Sequence, residues 1–156
     1  MAISSFSGRN PGRTDVNLVV GWDRSPTSSA ALREAVDLAR RLHARLHIAH
    51  IADDSDLGID PDSPLWEEQT RALRDSSALW VRALLADFGD NWTYHSGRGS
   101  AVGVLRAVAT KAGATIIVIG AHRRGLPGVL SRLTRRPLLP ALLAEGFTVV
   151  IVPPAR

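Results

Sequence analysis

The chain has 156 residues, of which 45% are hydrophobic and 22% are charged, a composition typical of one globular domain with a sizeable core. It contains no cysteine, which excludes disulfides, thiolate metal sites and cysteine catalysis. The net charge of +4 is unevenly distributed: residues 1–90 carry 10 Arg against 14 acidic residues, whereas residues 91–156 carry 8 Arg and one Lys against a single Glu. The basic second half indicates an anionic partner.

The first fifteen residues are polar and rich in Ser, Gly, Asn and Arg, and they lack the apolar run of a signal peptide. We predict a disordered N-terminal tail over residues 1–15 and one domain over residues 16–156. No apolar run approaches the roughly 20 residues needed to span a bilayer. The sequence therefore predicts a cytoplasmic protein without a membrane partner.

The first half of the domain alternates strand and helix signals. The β-branched run Val16–Trp22 predicts a strand, and Ser25-Pro26 after it indicates an N-cap followed by proline in the first helical turn. Arg45–Ile51 predicts a second strand. Apolar residues three and four apart give the intervening helix one buried face, made of Leu32, Ala35, Val36, Ala39, Leu42 and Leu46.

A second helix and a third strand follow. Residues 53–62 form an acidic loop with five Asp, and Ser63-Pro64 predicts another helix start, with Gly89 as its end. The less hydrophobic run Asn91–Ser96 predicts the third strand. The predicted buried face of the helix contains Leu65, Gln69, Ala72, Leu73, Ser76, Trp80, Ala83 and Leu84.

The rest of the chain repeats the alternation. Ser100 is expected to cap a third helix that Gly113 ends, and Pro137–Glu145 predicts a short fourth helix. Thr115–Ile119 and Thr148–Val152 predict the fourth and fifth strands. This order favours an α/β fold with a doubly wound five-stranded parallel sheet and helices on both faces.

Ligands in such a sheet bind beyond the carboxyl ends of the strands. Three segments end predicted strands at that edge: Gly21-Trp22-Asp23, Ile51-Ala52-Asp53 and Gly120-Ala121-His122. The loop after the fourth predicted strand also contains Gly125 and Gly128. Its backbone N–H groups are therefore able to approach a phosphate closely.

The order of these segments resembles the universal stress protein family. VNLVVGWDRSPTSSAALREAVDLARR is similar to the family's first strand, strand-end Asp and first helix, and LHIAHI to its second strand. ATIIVIGAHRRGLPGVLSRL followed by TVVIVP is similar to its fourth strand, glycine loop, last helix and last strand. The resemblance implies the strand order 3-2-1-4-5 and a homodimer formed through the last strand, Thr148–Val152.

The resemblance also implies a ligand, because many members of the family bind ATP, AMP or cyclic AMP, whereas a large branch binds no nucleotide. Asp23 matches the family's adenosine-binding Asp, and its alternative role is to complement the dipole of the following helix. Ile51 falls at an apolar adenine contact, with a plain core position as the alternative. Trp22 replaces a small residue, and its ring either stacks on a base or fills the pocket.

The phosphate loop departs from the family motif G-x2-G-x9-G-[ST]. Gly120 and His122 match the start of the motif, Gly125 stands for its second glycine, and Gly128 matches a position counted back from the last strand. The alignment counted forward from Gly120 and the alignment counted back from the last strand differ by two residues, which indicates a two-residue insertion in the loop. The resemblance therefore extends to the start of this loop but not to its end.

Arg135 and Arg136 stand where the family has its terminal Gly-Ser pair. One interpretation is that these two residues, with Arg123, Arg124 and Arg132 nearby, clamp a phosphate through charge-assisted hydrogen bonds. The other is that the phosphate site is lost and the arginines form a solvated basic face. The sequence leaves both interpretations open.

Other chemistry is weakly represented. His47 and His50 are three residues apart on a predicted strand, so they face opposite sides and cannot chelate one metal together. No serine lies in a G-x-S-x-G context and no P-loop is present, so neither a catalytic triad nor a phosphoryl-transfer motif is predicted. Asp23 and His122 are the residues best suited as a general base for slow ATP hydrolysis, and no further enzyme activity is expected.

The sequence thus predicts a cytoplasmic, homodimeric stress or regulatory module that requires no cofactor and binds ATP or another adenine nucleotide. The alternative is a nucleotide-free dimeric interaction protein of the same fold, with an unidentified protein partner. Nucleic-acid binding is disfavoured because aromatic residues make up only 5% of the chain and no nucleic-acid motif is present.

Overall fold

The computed structural model describes residues 3–7, 16–52, 62–121 and 138–154. From Asn17 onward the described strands and helices alternate along the chain, and a short 3-10 turn, Ala86–Phe88, follows the second helix. The elements are β1 (Ile3–Ser7), β2 (Asn17–Trp22), α1 (Pro26–Leu42), β3 (Arg45–Ala52), α2 (Trp66–Leu84), β4 (Trp92–Arg98), α3 (Ala101–Ala112), β5 (Ile116–Gly120), α4 (Leu138–Ala144) and β6 (Thr148–Val152).

The strands form one sheet in the order β1-β4-β3-β2-β5-β6. Strands β2 to β6 are all parallel to one another, and they are the five strands predicted from the sequence. Their order confirms the predicted arrangement 3-2-1-4-5. The fold class is therefore a doubly wound α/β sheet, with one additional strand at its edge.

The additional strand is β1, which pairs antiparallel with β4. The prediction of a disordered tail over residues 1–15 is wrong for Ile3–Ser7, which pair with residues 93–97. The reason is tertiary: the free edge of β4 supplies backbone hydrogen-bonding groups, and Ile3 packs against the core beside α3. The other residues of the predicted tail lie outside the described part of the chain.

The two faces of the sheet carry separate cores. Helices α1 and α2 cover one face, where Leu18, Val20 and Ile48 of the central strands are fully buried. Helices α3 and α4 cover the other face, where Val19 and Ile117 point. Successive residues of each strand alternate between the two cores, which explains why the central strands are apolar without interruption.

Local capping signals were predicted well, apart from those of α2. The Ser25 and Ser100 side chains cap α1 and α3 by accepting hydrogen bonds from the N–H groups of Ser28 and Gly103. The helix predicted at Ser63-Pro64 begins only at Trp66. The Ser63 carbonyl instead accepts the Trp66 N–H across a turn, and Gly89 ends the 3-10 turn rather than α2.

The buried face predicted for α2 is also wrong. Ser77 and Val81 are the buried residues of this helix, whereas Leu79, Trp80 and Leu84 are exposed. Of the predicted face, Gln69 and Leu73 are half-buried and the others are exposed. Since α2 carries more apolar residues than one stripe holds, the hydrophobic pattern alone does not decide which stripe faces the sheet.

Candidate functional site

The candidate site lies at the carboxyl edge of the central strands. Val20 of β2 pairs with Val118 of β5, so Trp22 and Gly120 both lie two residues farther toward that edge. On the other side of β2, Trp22 pairs with His50 of β3. The ends of β2, β3 and β5 are therefore side by side, as the parallel topology requires.

Asp23 follows β2 directly and forms a tight turn into α1. Its Oδ1 accepts a hydrogen bond of 3.0 Å from the Ser25 N–H, and its own N–H donates to the Ser28 hydroxyl at 3.3 Å. Arg24 between them has a φ of +67°, a left-handed conformation that is uncommon outside glycine. The carboxylate is half-buried and held at the sheet edge, with one oxygen committed to this turn.

Gly21 and Ile51 share the face covered by α3. A Cβ on Gly21 would lie 3.3 Å from Leu105 of α3, and Ile51 packs in the same cluster with 2% of its surface exposed. Asp23 lies in the turn directly after β2, beyond the last residue of the strand. Of the predicted adenosine-contacting residues, Gly21 and Ile51 therefore lie on one side of the sheet, and Asp23 lies at the end of β2.

Trp22 lies on the opposite face, in the core beneath α1 and α2. Its side chain is fully buried, with its ring centroid 5.1 Å from that of His50 and 5.6 Å from that of Trp80. The prediction that Trp22 contacts nucleotide by stacking on a base disagrees with this position, because no part of the ring is exposed. Strand alternation fixes the outcome, since Trp22 and Ile51 point to opposite sides of the sheet.

Gly120 ends β5 against the first turn of α1. A Cβ at this position would lie 2.6 Å from the Thr27 carbonyl oxygen and 2.7 Å from its carbon. These are rigid backbone atoms, so only glycine fits. The end of β5 therefore adjoins the turn that contains Asp23, and Gly120 has a packing role in addition to its predicted place in the phosphate loop.

The remaining predicted phosphate-site residues lie outside the described part of the chain. These residues are His122, Gly125, Gly128, Arg135 and Arg136, all within residues 122–137. The acidic loop is described only from Asp62 onward. The structure thus describes the adenosine side of the predicted site and the first glycine of the phosphate loop.

The two histidines of β3 face opposite sides of the sheet, as the sequence predicts. His47 contacts His95 beside α3, whereas the His50 Nδ1 lies 2.6 Å from the Tyr94 hydroxyl beneath α1 and α2. Burial, followed by the charge of Arg24, lowers the pKa of His50 to about 4. Burial also raises the pKa of Tyr94 to about 12, so this pair is neutral at pH 7.

Within residues 3–7, 16–52, 62–121 and 138–154, no group of three or more His, Asp or Glu side chains is arranged to hold a metal ion. Among the helices of those same ranges, none combines the length and the apolar character required to cross a membrane.

Solved structures share this fold. A universal stress protein family member from Burkholderia pseudomallei is 24% identical, with a TM-score of 0.56 over 93% of this chain and 100% of that chain. A universal stress protein in complex with cAMP is 25% identical, with a TM-score of 0.53 over 90% of this chain and 98% of that one. A universal stress protein from Archaeoglobus fulgidus in complex with dAMP is 16% identical, with a TM-score of 0.56 over 87% and 96%.

The sequence itself carries the family assignment. No match was found among curated proteins. The model of the universal stress protein family matches residues 17–135, which is most of the domain. That segment runs from the start of β2 through β5 and into the predicted phosphate loop. The chain belongs to the universal stress protein family.

Proposed function

We propose that this protein is a regulatory module that binds an adenine nucleotide at the carboxyl edge of β2, β3 and β5. The observation that carries this proposal is that Gly21 and Ile51 share one side of that edge and that the half-buried Asp23 directly follows β2 there. Two members of the family with this fold have been solved with cAMP and dAMP. In the proposed complex, the Asp23 carboxylate accepts hydrogen bonds from the adenosine and Ile51 lies against the base.

The phosphates of the nucleotide would lie toward the segment that follows Gly120. In this proposal the backbone around Gly120, His122, Gly125 and Gly128 approaches the phosphate, and Arg135 and Arg136 replace the family's Gly-Ser pair. Guanidinium groups suit this role because each charge-assisted hydrogen bond contributes about 1.5–3 kcal/mol. The absence of any acidic residue between Asn91 and Ala144 supports an anion in this half of the chain.

Calorimetry with ATP, AMP, cAMP and adenosine tests the proposal. Asp23→Asn is the informative variant because it keeps Oδ1 as the acceptor for the Ser25 N–H and removes only the charge. We expect it to weaken all four ligands about tenfold or more, whereas Arg135→Gln with Arg136→Gln weakens ATP and leaves adenosine unchanged. No heat with any ligand at millimolar concentration would refute nucleotide binding.

The alternative function is a nucleotide-free interaction module of the same fold. It is favoured by the fact that Ile51 and Gly120 already have structural roles, one in the core and one against Thr27. Analysis of small molecules released from the purified, denatured protein separates the two functions. A bound nucleotide recovered in near-stoichiometric amount would exclude the alternative, and its absence together with silent calorimetry would favour it.

We also propose a cytoplasmic homodimer that pairs through β6. This strand is an edge of the described sheet, and its side chains are more exposed than those of the other parallel strands. The Thr148 N–H donates inward to the Thr115 carbonyl, so the N–H groups of Val149 and Ile151 point outward. These groups are available to a second copy of β6. For the nucleotide itself we propose binding rather than turnover.

A further inference from the structure

Strand β1 places an exposed serine hydroxyl within hydrogen-bond distance of a buried imidazole. Ser5 is the register partner of His95 in β4, and its Oγ lies 2.9 Å from the His95 Nδ1. His95 has 3% of its surface exposed, whereas Ser5 is exposed. A hydroxyl within hydrogen-bond distance of a histidine nitrogen is the first element of an activated nucleophile.

The histidine is held by two further side chains. The His95 Nε2 lies 3.0 Å from the His47 Nδ1, and the His47 Nε2 lies 3.1 Å from the Asn17 Oδ1. The two imidazole rings are nearly parallel, with an interplanar angle of 28° and centroids 5.3 Å apart. Ser5, His95, His47 and Asn17 belong to four neighbouring strands, so the sheet itself fixes their spacing.

Ser5, His95, His47 and Asn17 form what we call the Ser5 relay. Every hydrogen bond in it is donated in the direction from Ser5 toward Asn17. The Asn17 oxygen can only accept, so the His47 Nε2 carries the proton and donates it. The neutral His47 ring then accepts at Nδ1 from the His95 Nε2. The His95 Nδ1 is consequently left without a proton, and it accepts the hydrogen bond of the Ser5 hydroxyl. The relay therefore presents a proton acceptor to the serine.

A cation adjoins the same oxygen. The Nζ of Lys111, on α3, donates to the Ser5 Oγ at 3.2 Å. Its positive charge stabilises an alkoxide on Ser5, and it also stabilises an oxyanion on a carbonyl bonded to that oxygen. Nucleophile, base, orienting group and oxyanion donor are thus assembled at one accessible point of the surface.

We propose that Ser5 is a nucleophile that accepts acyl groups from activated esters and releases them to water. The residues that carry this inference are different from those of the nucleotide site, so it is independent of the proposed function. The substrate class is an ester with a small acyl group and a good leaving group, because the site lies on an open surface. The His95 ring is the base, whereas His47 and Asn17 are positioning residues.

The proposed reaction has two stages, acylation of Ser5 and hydrolysis of the acylated Ser5. The Ser5 oxygen attacks the ester carbonyl carbon while its proton moves to the His95 Nδ1, and the oxygen–carbon bond to the leaving alcohol or phenol breaks. The leaving oxygen takes the proton from the His95 Nδ1, which leaves an acylated Ser5. A water molecule then attacks the acyl carbon and gives its proton to the same nitrogen. The Ser5 oxygen recovers that proton as the carboxylic acid departs.

The protonation states of the relay agree with this chemistry. Burial lowers the pKa of His95 to about 4, assisted by the charges of Lys111 and Arg45, and burial, His95 and Arg45 lower the pKa of His47 to about 4. Both rings are therefore neutral at pH 7, and the serine faces a free base. A histidine with so low a pKa is a weak general base, so we expect slow turnover of the ester.

Acetylation of the full chain by p-nitrophenyl acetate tests the proposal. Mass spectrometry of the tryptic peptide Met1–Arg9 identifies which serine is acetylated. Ser4 and Ser7 are the internal controls, because they lie in the same strand as Ser5. We expect the acetyl group on Ser5 at least ten times more often than on either control serine. Equal labelling of the three serines, or labelling of Lys111 alone, would overturn the proposal.

The Asn17 variants distinguish an activated serine from a serine that merely holds β1 in place. Asn17→Asp keeps the acceptor for His47 and adds a charge that makes the relay more basic, so we expect acylation about tenfold faster with its pH midpoint raised. Asn17→Ala should slow acylation about tenfold. Hydrogen exchange of the β1 amides confirms that the strand stays docked. Equal rates in both variants with docked β1 would refute activation through the relay.

Discussion

Gly120 and Thr27 join the end of β5 to the first turn of α1, with no room for a side chain between them. A Cβ on Gly120 would lie 2.6 Å from the Thr27 carbonyl oxygen, well inside contact distance. The end of β5 at the candidate nucleotide site therefore packs closely against α1 only because residue 120 has no side chain.

We expect Gly120→Ala to lower the free energy of unfolding by about 1–3 kcal/mol, because rigid backbone must move to admit the methyl group. Urea denaturation of the two proteins measures this difference. Gly21→Ala is the matched control, since its Cβ would meet the flexible Leu105 side chain at 3.3 Å, and it should cost less. Equal losses of unfolding free energy in the two variants would contradict the close contact between Gly120 and the Thr27 backbone.

The position of Trp22 predicts that stability and ligand binding respond separately to its replacement. Trp22→Phe removes part of a fully buried ring on the α1 and α2 side, and the indole N–H has no hydrogen-bond partner among the described residues. We expect a loss of about 1–3 kcal/mol in stability from packing. Nucleotide affinity, measured by calorimetry, should change less than twofold.

The exposed partner of Trp22 supplies the control for that measurement. Trp80 has 44% of its surface exposed, so Trp80→Phe should destabilise the protein much less. If Trp22→Phe instead reduced nucleotide affinity as strongly as Asp23→Asn, the indole would have to contact the ligand, and its placement in the core would be wrong.

Three buried histidines make stability depend on pH below neutrality. Burial lowers the pKa of His47, His50 and His95 to about 4, from 6.5 in the unfolded chain. Their contribution is therefore complete above pH 6.5 and decreases as the pH falls toward 4, because the unfolded state binds protons first. At pH 5 we expect a loss of about 2 kcal/mol for each histidine.

Urea denaturation at pH 7.5, 6 and 5 measures this slope. His50→Gln keeps a hydrogen-bonding group beside Tyr94 and removes one of the three titrations, so the loss between pH 7.5 and 5 should shrink by about a third. Stability that is unchanged between pH 7.5 and 5 would show that the three rings are not neutral and buried in the folded state.

The edge of β6 predicts a variant that separates assembly from folding. The Ile151 N–H points away from β5, and the Ile151 side chain is 46% exposed. Ile151→Pro removes this outward donor and leaves the inward hydrogen bonds of Thr148 and Val152 in place. We expect it to convert a dimer into a monomer in analytical ultracentrifugation.

The control for that experiment is Ile151→Val, which keeps the N–H and should remain dimeric. Circular dichroism of Ile151→Pro should match that of the unaltered protein, because β6 still pairs with β5. A dimer that survives the proline substitution would place the interface elsewhere on the molecule.

The sequence predicted those features of the fold that depend on neighbouring residues. Ser25 and Ser100 cap their helices as expected, because a cap is a local interaction between a side chain and the next turn. The five parallel strands were likewise predicted from local patterns, whereas their order was implied by the resemblance to the family. The buried face of α2 was not predicted, since it depends on how the helix packs against the sheet. In the structure that face contains Ser77 and Val81.

The site was predictable only in part, for the same reason. Asp23 and Gly120 were placed correctly at the carboxyl edge because strand ends are visible in the sequence. The Ser5 relay was not visible, since Ser5 lies in a segment without hydrophobic periodicity and its neighbour His95 is 90 residues away. Only the pairing of β1 with β4 brings these two side chains together.

The antiparallel strand β1 also decides which edges the sheet presents to a second copy of the chain. It covers one side of β4, so the two edges of the described sheet are β1 and β6. Strand β1 has five residues, whereas β4 has seven. Removal of the first seven residues would therefore replace a short outer edge with a longer one and favour edge-to-edge association of copies.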